Sequence, residues 1–261
     1  MMRSLSIAAT GMQAQQTNVE VISNNIANVS TTGFKRSMAA FQDLLYQSAA
    51  RPGTVSSEQG TVLPSGTQIG LGVRNAGVNR VLTQGSLSQT DNPLNVAVDG
   101  RGYFGVKLPS GDTAYTRDGS FNLSSTGMLV NSEGFQVEPG ISINPTSTAV
   151  TINQAGQVIE TLPNGKQNTV GQLQLFQFAN EAGLVALGGN NFQQSEASGD
   201  PVQGLPTDQG FGSVRQGYLE SSNVNVVHEI TALIQAQRAY ELNSKIIQAA
   251  DQMLQTTNQA R

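Results

Sequence analysis

The sequence of 261 residues contains no cysteine and no tryptophan. Without cysteine, neither a disulfide framework nor a thiolate metal site can form. Charged residues make up only 12% of the chain, against about 25% in ordinary globular proteins, and aromatic residues make up 5%. The surface must therefore be largely neutral and polar. Such a surface packs against copies of itself with little desolvation or repulsion, which suits a subunit of an assembly.

The chain also lacks long apolar runs and an excess of basic residues. No stretch approaches the roughly 18 apolar residues of a membrane span. The start, MMRSLSIAATGMQAQQ, is too diluted for the apolar region of a cleavable signal peptide. The formal net charge of −4 does not provide the basic footprint of a nucleic-acid-binding protein. We therefore expect no nucleic-acid partner, and a protein that is cytosolic or exported without a cleavable signal.

Few residues offer catalytic chemistry. His228 is the only histidine, so a Ser-His-Asp triad or a histidine metal site would depend on it. No motif surrounds it, and we expect a solvated helix residue. Asp99, Asp112 and Asp118 could pair as general acid and base, but each stands beside a glycine in a turn, where aspartate commonly accepts backbone hydrogen bonds. We predict no enzyme, no metal site and no cofactor.

Gly100, Gly102 and Gly105 have the spacing G-x-G-x-x-G of dinucleotide-binding loops. Such a loop works only where it turns a strand into a helix, whose N-terminal amides then hold the pyrophosphate. After Gly105 the sequence instead gives short alternating runs broken by the turn PSGD. We predict a strand, a turn and a second strand. A nucleotide-binding enzyme that uses the GRGYFG stretch remains a remote alternative.

Heptad patterns at the two ends predict helices over 1–30 and 225–261. Along the N-terminal pattern, a second row follows the first by three residues and is interrupted by a glutamine. The C-terminal pattern is stronger. We expect the two helices to pair as a coiled-coil-like assembly domain, and the residues predicted to form its interface are Leu5, Met12, Val19, Ile22, Ile26, Val226, Ile230, Leu233, Tyr240, Ile247 and Leu254.

Between the helices, period-two runs alternate with turn signals such as PSGD, RDGS and NSEG. This pattern predicts a mixed, mainly β fold, in which helices flank an all-β body over 80–212. We expect 31–79 and 213–224 to form an extended connecting region. Within it, 46–79 has almost no periodicity and is too long for an ordinary connection, so this segment is either disordered or functional.

Several stretches resemble the bacterial flagellar rod and hook proteins, and among them those of the distal rod. Near the N-terminus this resemblance is carried by TGMQAQQTNVEVISNNIANVSTTGFKRSMAAFQDLLYQ, and near the C-terminus by GYLESSNVNVVHEITALIQAQRAYELNSKIIQAADQML. LTQGSLSQT, DGRGYF and YTRDGSFNLSSTGMLVNSEGF also fit. Two residues depart from the family pattern: Ser30 stands where asparagine is usual, and Gly105 where a larger residue is usual. The second departure creates the apparent dinucleotide motif.

The resemblance implies a structural subunit of the distal rod, which polymerises into a rigid hollow helical tube. Such a tube transmits torque across the periplasm and serves as an export conduit. The implied partners are further copies of the chain, proximal rod and hook proteins at the two ends, and the ring proteins of the outer membrane and peptidoglycan. A hook or proximal rod subunit of the same family is the alternative.

Export through the flagellar type III apparatus is also implied. Phe41 and Leu45 match the aromatic-x-x-x-apolar motif by which early export substrates engage the export gate, although core packing explains these two residues equally well. The segment 46–79 resembles the extra stretch that separates distal rod proteins from hook proteins and stiffens the tube. A disordered linker is the alternative interpretation of that segment.

Overall fold

A computed structural model describes residues 2–50 and 66–259. It has one long helix near each end, α1 (Met2–Ala27) and α2 (Val226–Gln259), with strands between them. The predicted mixed fold is therefore confirmed. The first helix ends one residue before Asn28, and the second begins after Asn225, whose Oδ1 accepts the His228 N–H at 3.2 Å as a helix cap. Neither described helix is apolar enough over its length to span a lipid bilayer.

The chain divides into two compact units. Unit 1 comprises Met1–Ile26, Ser37–Asn79 and Asn225–Arg261. Besides the helices, it holds two pairs of strands: β1 (Ser37–Asp43) pairs with β4 (Val73–Arg80, whose last residue belongs to unit 2), and β2 (Tyr46–Ala50) pairs antiparallel with β3 (Thr67–Gly70). The segment 46–79 thus contributes three strands where it is described. Residues 51–65 of that segment lie outside the described residues.

Unit 2 comprises Ala27–Arg36 and Arg80–Val224. Its strands are β5 (Leu87–Gln89), β6 (Val96–Asp99), β7 (Tyr103–Lys107), β8 (Thr113–Thr116), β9 (Asn122–Leu123), β10 (Leu129–Val130), β11 (Gln136–Val137), β12 (Ala149–Ile152), β13 (Gln157–Thr161), β14 (Gln167–Gln172), β15 (Leu175–Gln177), β16 (Val185–Gly188), β17 (Asn191–Gln193), β18 (Val202–Gly204), β19 (Ser213–Gln216) and β20 (Tyr218–Glu220). A single turn of 3-10 helix covers Glu181–Gly183. The range 213–224, expected to be extended, supplies β19 and β20.

The main sheet of unit 2 has nine strands in the order β16-β17-β8-β7-β11-β10-β9, with β15 beside β7 and β18 beside β15. A meander of β12, β13 and β14 and the pairs β6–β19 and β5–β20 complete the unit. Apolar side chains from these strands and from the links between them form its core, which includes Val96, Phe104, Phe121, Leu129, Val158, Leu173, Leu175 and Val214. The middle of the chain, where the sequence has period-two runs, therefore folds as a β body.

Gly105 lies in β7 and pairs with Tyr115 of β8, so the GRGYFG stretch leads into a hairpin rather than into a helix. The prediction of strand, turn and strand is confirmed. A Cβ atom at Gly105 would lie 2.5 Å from the ring of Phe176, which packs edge-to-face on Tyr115 with the ring centres 5.2 Å apart. The glycine is required because an aromatic ring occupies the space of a side chain.

Candidate functional site

Three of the stretches that carry the family resemblance meet in one buried charged cluster of unit 2. Lys35 comes from TTGFK, Arg117 from YTRDG and Glu220 from GYLE. The Lys35 Nζ lies 2.5 Å from Glu220 Oε1, and an Arg117 Nη lies 3.5 Å from Glu220 Oε2. The three side chains are 3%, 5% and 1% exposed. A single carboxylate therefore pairs with two buried cations, so these three side chains carry one net positive charge.

Backbone groups complete this cluster. Glu220 Oε1 also accepts the Gly85 N–H at 2.9 Å, and the Glu220 carbonyl accepts the Gly33 N–H at 2.8 Å. Lys35 donates to the Thr83 carbonyl at 3.0 Å. Burial lowers the pKa of Lys35, because the charged ammonium loses its hydration; the ion pair with Glu220 opposes that effect. The cluster is therefore structural, because its charged side chains bind one another and nearby backbone groups.

Two glycines of the motifs are fixed by close backbone contacts at this junction. A Cβ at Gly85 would lie 1.9 Å from the carbonyl oxygen of Ser221, so no side chain fits there. Gly33 has a φ of +69° and would place a Cβ 3.0 Å from the backbone of Arg117. The motifs TTGF and TQGS thus need glycine, because at each of them the backbone of another chain segment lies where a side chain would be.

Asn223 ties the same segments together through its side-chain amide. Its Oδ1 accepts the Arg36 N–H at 2.7 Å, and its Nδ2 donates to the carbonyls of Val81 and Thr83 at 2.8 and 3.0 Å. Together with the charged cluster, these bonds fasten 27–36 and 218–224 to the β body of unit 2. Sequence reasoning missed Lys35, Arg117 and Glu220 as a set, because nothing local to them signals a partner up to 185 residues away.

A cavity of about 720 Å³ opens beside the cluster within unit 2. Its lining includes Gln84, Gly100, Arg101, Arg117 and Glu181. The Arg117 guanidinium stacks over the ring of Tyr103 at 5.0 Å, and the Tyr103 hydroxyl donates to Glu181 at 2.8 Å. Burial, reinforced by that carboxylate, raises the pKa of Tyr103 well above its ordinary value. The charged residues that line the cavity are thus two arginines and one carboxylate.

The two helices pack against each other inside unit 1 in antiparallel directions. Gly11 faces Asn243, since a Cβ at Gly11 would lie 2.9 Å from the Asn243 amide. Asn25 donates to Glu229 at 3.1 Å and exchanges two hydrogen bonds of 2.8 Å with the backbone of Ser37. Residue numbers therefore rise on α1 as they fall on α2. Small and amide side chains at the contact permit this close approach.

The predicted interface residues divide by exposure in the single chain. Ile22 is buried, and Val19 and Tyr240 line a cavity of about 560 Å³ between the helices. Val226, Ile230 and Tyr240 are 38%, 45% and 44% exposed. The remaining residues of the predicted set are partly buried: Leu5, Met12, Ile26, Leu233, Ile247 and Leu254.

The most buried row of α2 is a heptad that the apolar pattern did not reveal. Glu229, Ala236 and Ala250 are buried, and Asn243, partly buried at the same interval, faces Gly11. The signal in the sequence was the seven-residue repeat of small and polar residues three positions after each member of the predicted row. A search for repeated apolar residues does not detect such a row, because its members are small or polar.

The other candidates from the sequence occupy ordinary structural positions. The His228 side chain is 68% exposed, as expected for a solvated helix residue. Asp118 accepts the Ser120 N–H at 3.0 Å in its turn, and Asp99 pairs with Arg215 at 2.7 Å on the surface. Within residues 2–50 and 66–259, no group of three or more histidine, aspartate or glutamate side chains is arranged to hold a metal ion.

The two residues of the predicted export motif have different environments in unit 1. Phe41 is partly buried in β1. Leu45, in the short link between β1 and β2, is 82% exposed. Leu45 is thus accessible in the folded chain, whereas Phe41 contributes to packing.

Comparison with known proteins gives three family models in chain order. "Flagella basal body rod protein" matches residues 5–35, "Flagellar hook protein FlgE/F/G D1 domain" matches 97–160, and "Flagellar basal body rod FlgEFG protein C-terminal" matches 215–260. These matches contain the three charged residues of the cluster.

Curated proteins named flagellar basal-body rod protein FlgG match the chain over nearly its whole length. That of Caulobacter vibrioides is 52% identical, covering 100% of both chains. That of Borreliella burgdorferi is 43% identical, covering 99% of this chain and 98% of its own. That of Bacillus subtilis is 37% identical, covering 98% and 97%.

Proposed function

The chain belongs to the family of flagellar basal-body rod proteins, and from this premise we propose that it is the structural subunit of the distal rod. The observation that carries this proposal is the full-length match to proteins named FlgG, one of them at 52% identity. The matched regions include most of both terminal helices and the three residues of the buried charged cluster of unit 2. The function rests on packing surfaces, and no step of chemistry is needed for it.

The subunit polymerises into a rigid hollow helical tube that transmits torque across the periplasm and conducts exported proteins. Its neighbours are copies of itself, proximal rod and hook proteins at the tube's ends, and the ring proteins around it. It reaches the growing tip through the flagellar type III apparatus without a cleavable signal, and Leu45, which is exposed, and Phe41 take part in engaging the export gate. The exposed apolar residues of α2, among them Ile230, Ile234 and Ile246, support polymerisation, because burying them against neighbouring copies would remove their apolar surface from water.

An assembly test uses residues of α2 that are exposed in the single chain. Ile234 and Ile246 are 45% and 47% exposed, so the double variant I234D/I246D should leave the monomer folded. In a polymer that buries both side chains, the two carboxylates would lie in apolar contacts, where unpaired charge is costly. We expect a soluble monomer that forms no tubes by electron microscopy.

The matched control adds the same charges at exposed polar positions of α2. Thr231 and Gln252 are exposed, and T231D/Q252D adds two carboxylates to the same helix. Normal tubes from this control and none from the first variant would support the proposal. Normal tubes from both would contradict it. Straight wild-type tubes favour a rod subunit, whereas curved tubes favour the hook alternative.

The segment 46–79 stiffens the tube by contacts between subunits. Residues 46–48 of β2 and 67–69 of β3 are exposed. The Leu71 N–H donates to the Leu45 carbonyl at 3.2 Å, so the two residues that flank 46–70 lie close together. Residues 46–70 can therefore be replaced by two glycines without separating β1 from β4. We expect tubes that still form but bend more easily, measured as a shorter persistence length in micrographs. Unchanged stiffness would leave the segment as a linker.

A further inference from the structure

The cavity beside the buried cluster is a basic recess on an acidic unit. Unit 2 contains eight lysine and arginine residues against twelve aspartate and glutamate residues, so it carries the whole formal charge of −4. Two of its arginines, Arg101 and Arg117, line the cavity together with one carboxylate, that of Glu181. Charge of one sign on the walls of a cleft attracts groups of the opposite sign.

The arginines of this cavity are under-neutralised. Arg117 is almost fully buried and shares Glu220 with Lys35, and its Nε has no acceptor among the described residues. Arg101 is exposed, and its guanidinium forms no hydrogen bond or ion pair within the described part of the chain. Glu181 is already engaged by the Tyr103 hydroxyl. The cavity therefore suits a carboxylate from outside the subunit.

The turn of the β7–β8 hairpin lies at the opposite end from this cavity and carries Asp112, with the exposed Lys107 beside it. Phe104 pairs with Thr116 at the end that adjoins Arg101 and Arg117, and Lys107 pairs with Thr113 at the other end. Beyond that second pair, residues 109–112 are exposed and include Asp112. A strand of five residues spans about 17 Å. The hairpin thus has the arginine-lined cavity at one end and, at the other, an exposed Asp112 carboxylate that accepts a hydrogen bond from the Ser110 hydroxyl at 3.1 Å.

We infer that Asp112 of one copy docks into the Arg101–Arg117 cavity of the next copy, an inference that rests on the proposed polymer. A contact between two different surfaces of the same molecule is head-to-tail, and when it does not close into a ring it builds an open helical filament. The ion pair sets the direction and register in which the β bodies of neighbouring copies meet. Charge complementarity commonly fixes register in this way.

Charge reversal in the full chain tests the contact. We expect R101E and D112R each to raise the critical concentration for assembly, measured by sedimentation, at least about tenfold. The double variant R101E/D112R should return to within about threefold of wild type, because the pair is re-formed with its charges exchanged. Thermal melting of the monomers should be unchanged, since both side chains are exposed.

The matched control is K166E/D112R, which has the same net charge as the rescued pair. Lys166 is exposed in the β13–β14 turn, and this control should stay defective. If the wild type forms tubes and both single variants also assemble normally, this inference is wrong, whereas the proposed function still holds. Equal recovery in the two double variants would also overturn it, because a general charge effect would explain the result.

Cysteine cross-linking gives a readout that does not depend on tube formation. Because the natural chain has no cysteine, R101C/D112C contains only the two introduced thiols. Oxidation of the concentrated full chain should give a ladder of multimers, since each copy can link to two neighbours. R101C/K166C should give none beyond dimers. The absence of a ladder from R101C/D112C would count against the contact.

Discussion

Replacing Glu220 with glutamine removes the only carboxylate of the buried cluster while keeping the size of the side chain. Lys35 and Arg117 would then remain as cations with 3% and 5% exposed side chains and no directly paired carboxylate, since Glu181 exerts only the smallest of the charge effects on Lys35. Breaking a buried ion pair by removing one partner typically costs about 3–5 kcal/mol, because an uncompensated charge stays out of water. The glutamine oxygen can still accept one of the hydrogen bonds, so we expect the lower part of that range.

The assay is urea unfolding of the full chain, followed by circular dichroism in the β region. Because a domain is commonly stable by only about 5–15 kcal/mol, E220Q should lower the unfolding midpoint of the β body strongly. The control is R215Q, which breaks the surface pair of Arg215 and Asp99, whose side chains are 50% and 35% exposed. Such a pair contributes about 0–1 kcal/mol.

A second variant separates lost pairing from general damage. K35M/E220Q removes one buried cation together with the carboxylate, and it should recover part of the stability lost in E220Q. A loss below about 1 kcal/mol in E220Q, or no recovery in the double variant, would refute the view that the cluster is held by charge neutralisation.

Three further predictions follow from single contacts. G105A should destabilise unit 2 by about 1–3 kcal/mol in the same urea assay, because its methyl group meets the ring of Phe176 at 2.5 Å; wild-type stability would contradict the packing argument. Since the folded pKa of Tyr103 is raised by burial, its contribution to stability is present below the unfolded pKa of about 10 and is lost as the pH rises further. Melting temperatures should therefore fall more steeply above pH 10 in wild type than in Y103F, and parallel curves would argue against it. N25A should lower the helical signal on mild heating, because it leaves the buried carboxylate of Glu229 without its amide donor; an unchanged melting curve would exclude a role for this bond.

Local patterns were enough to predict the elements of the fold. The heptads at the two ends predicted helices because seven residues make about two helical turns, and α1 ends beside Asn28, where NVSTTGF supplies an asparagine, β-branched threonines and a glycine. Alternation and turn glycines gave the β body, and the alternation after Gly105 excluded the dinucleotide loop. Each of these signals depends only on neighbouring residues, so tertiary contacts were not needed to recognise them.

Tertiary structure decided which residues meet. The contact row of α2, with Ala236 and Asn243, was set by the close approach of an antiparallel partner, which favours small residues over the most apolar ones. The strands β2 and β3 lie in a stretch without alternation: residues 46–48 and 67–69 are exposed, and the two strands pair through backbone hydrogen bonds. Lys35 and Glu220 are brought together from 185 residues apart. No local repeat in the sequence predicts such an ion pair, because the two residues interact only after folding has brought them together and buried both charges.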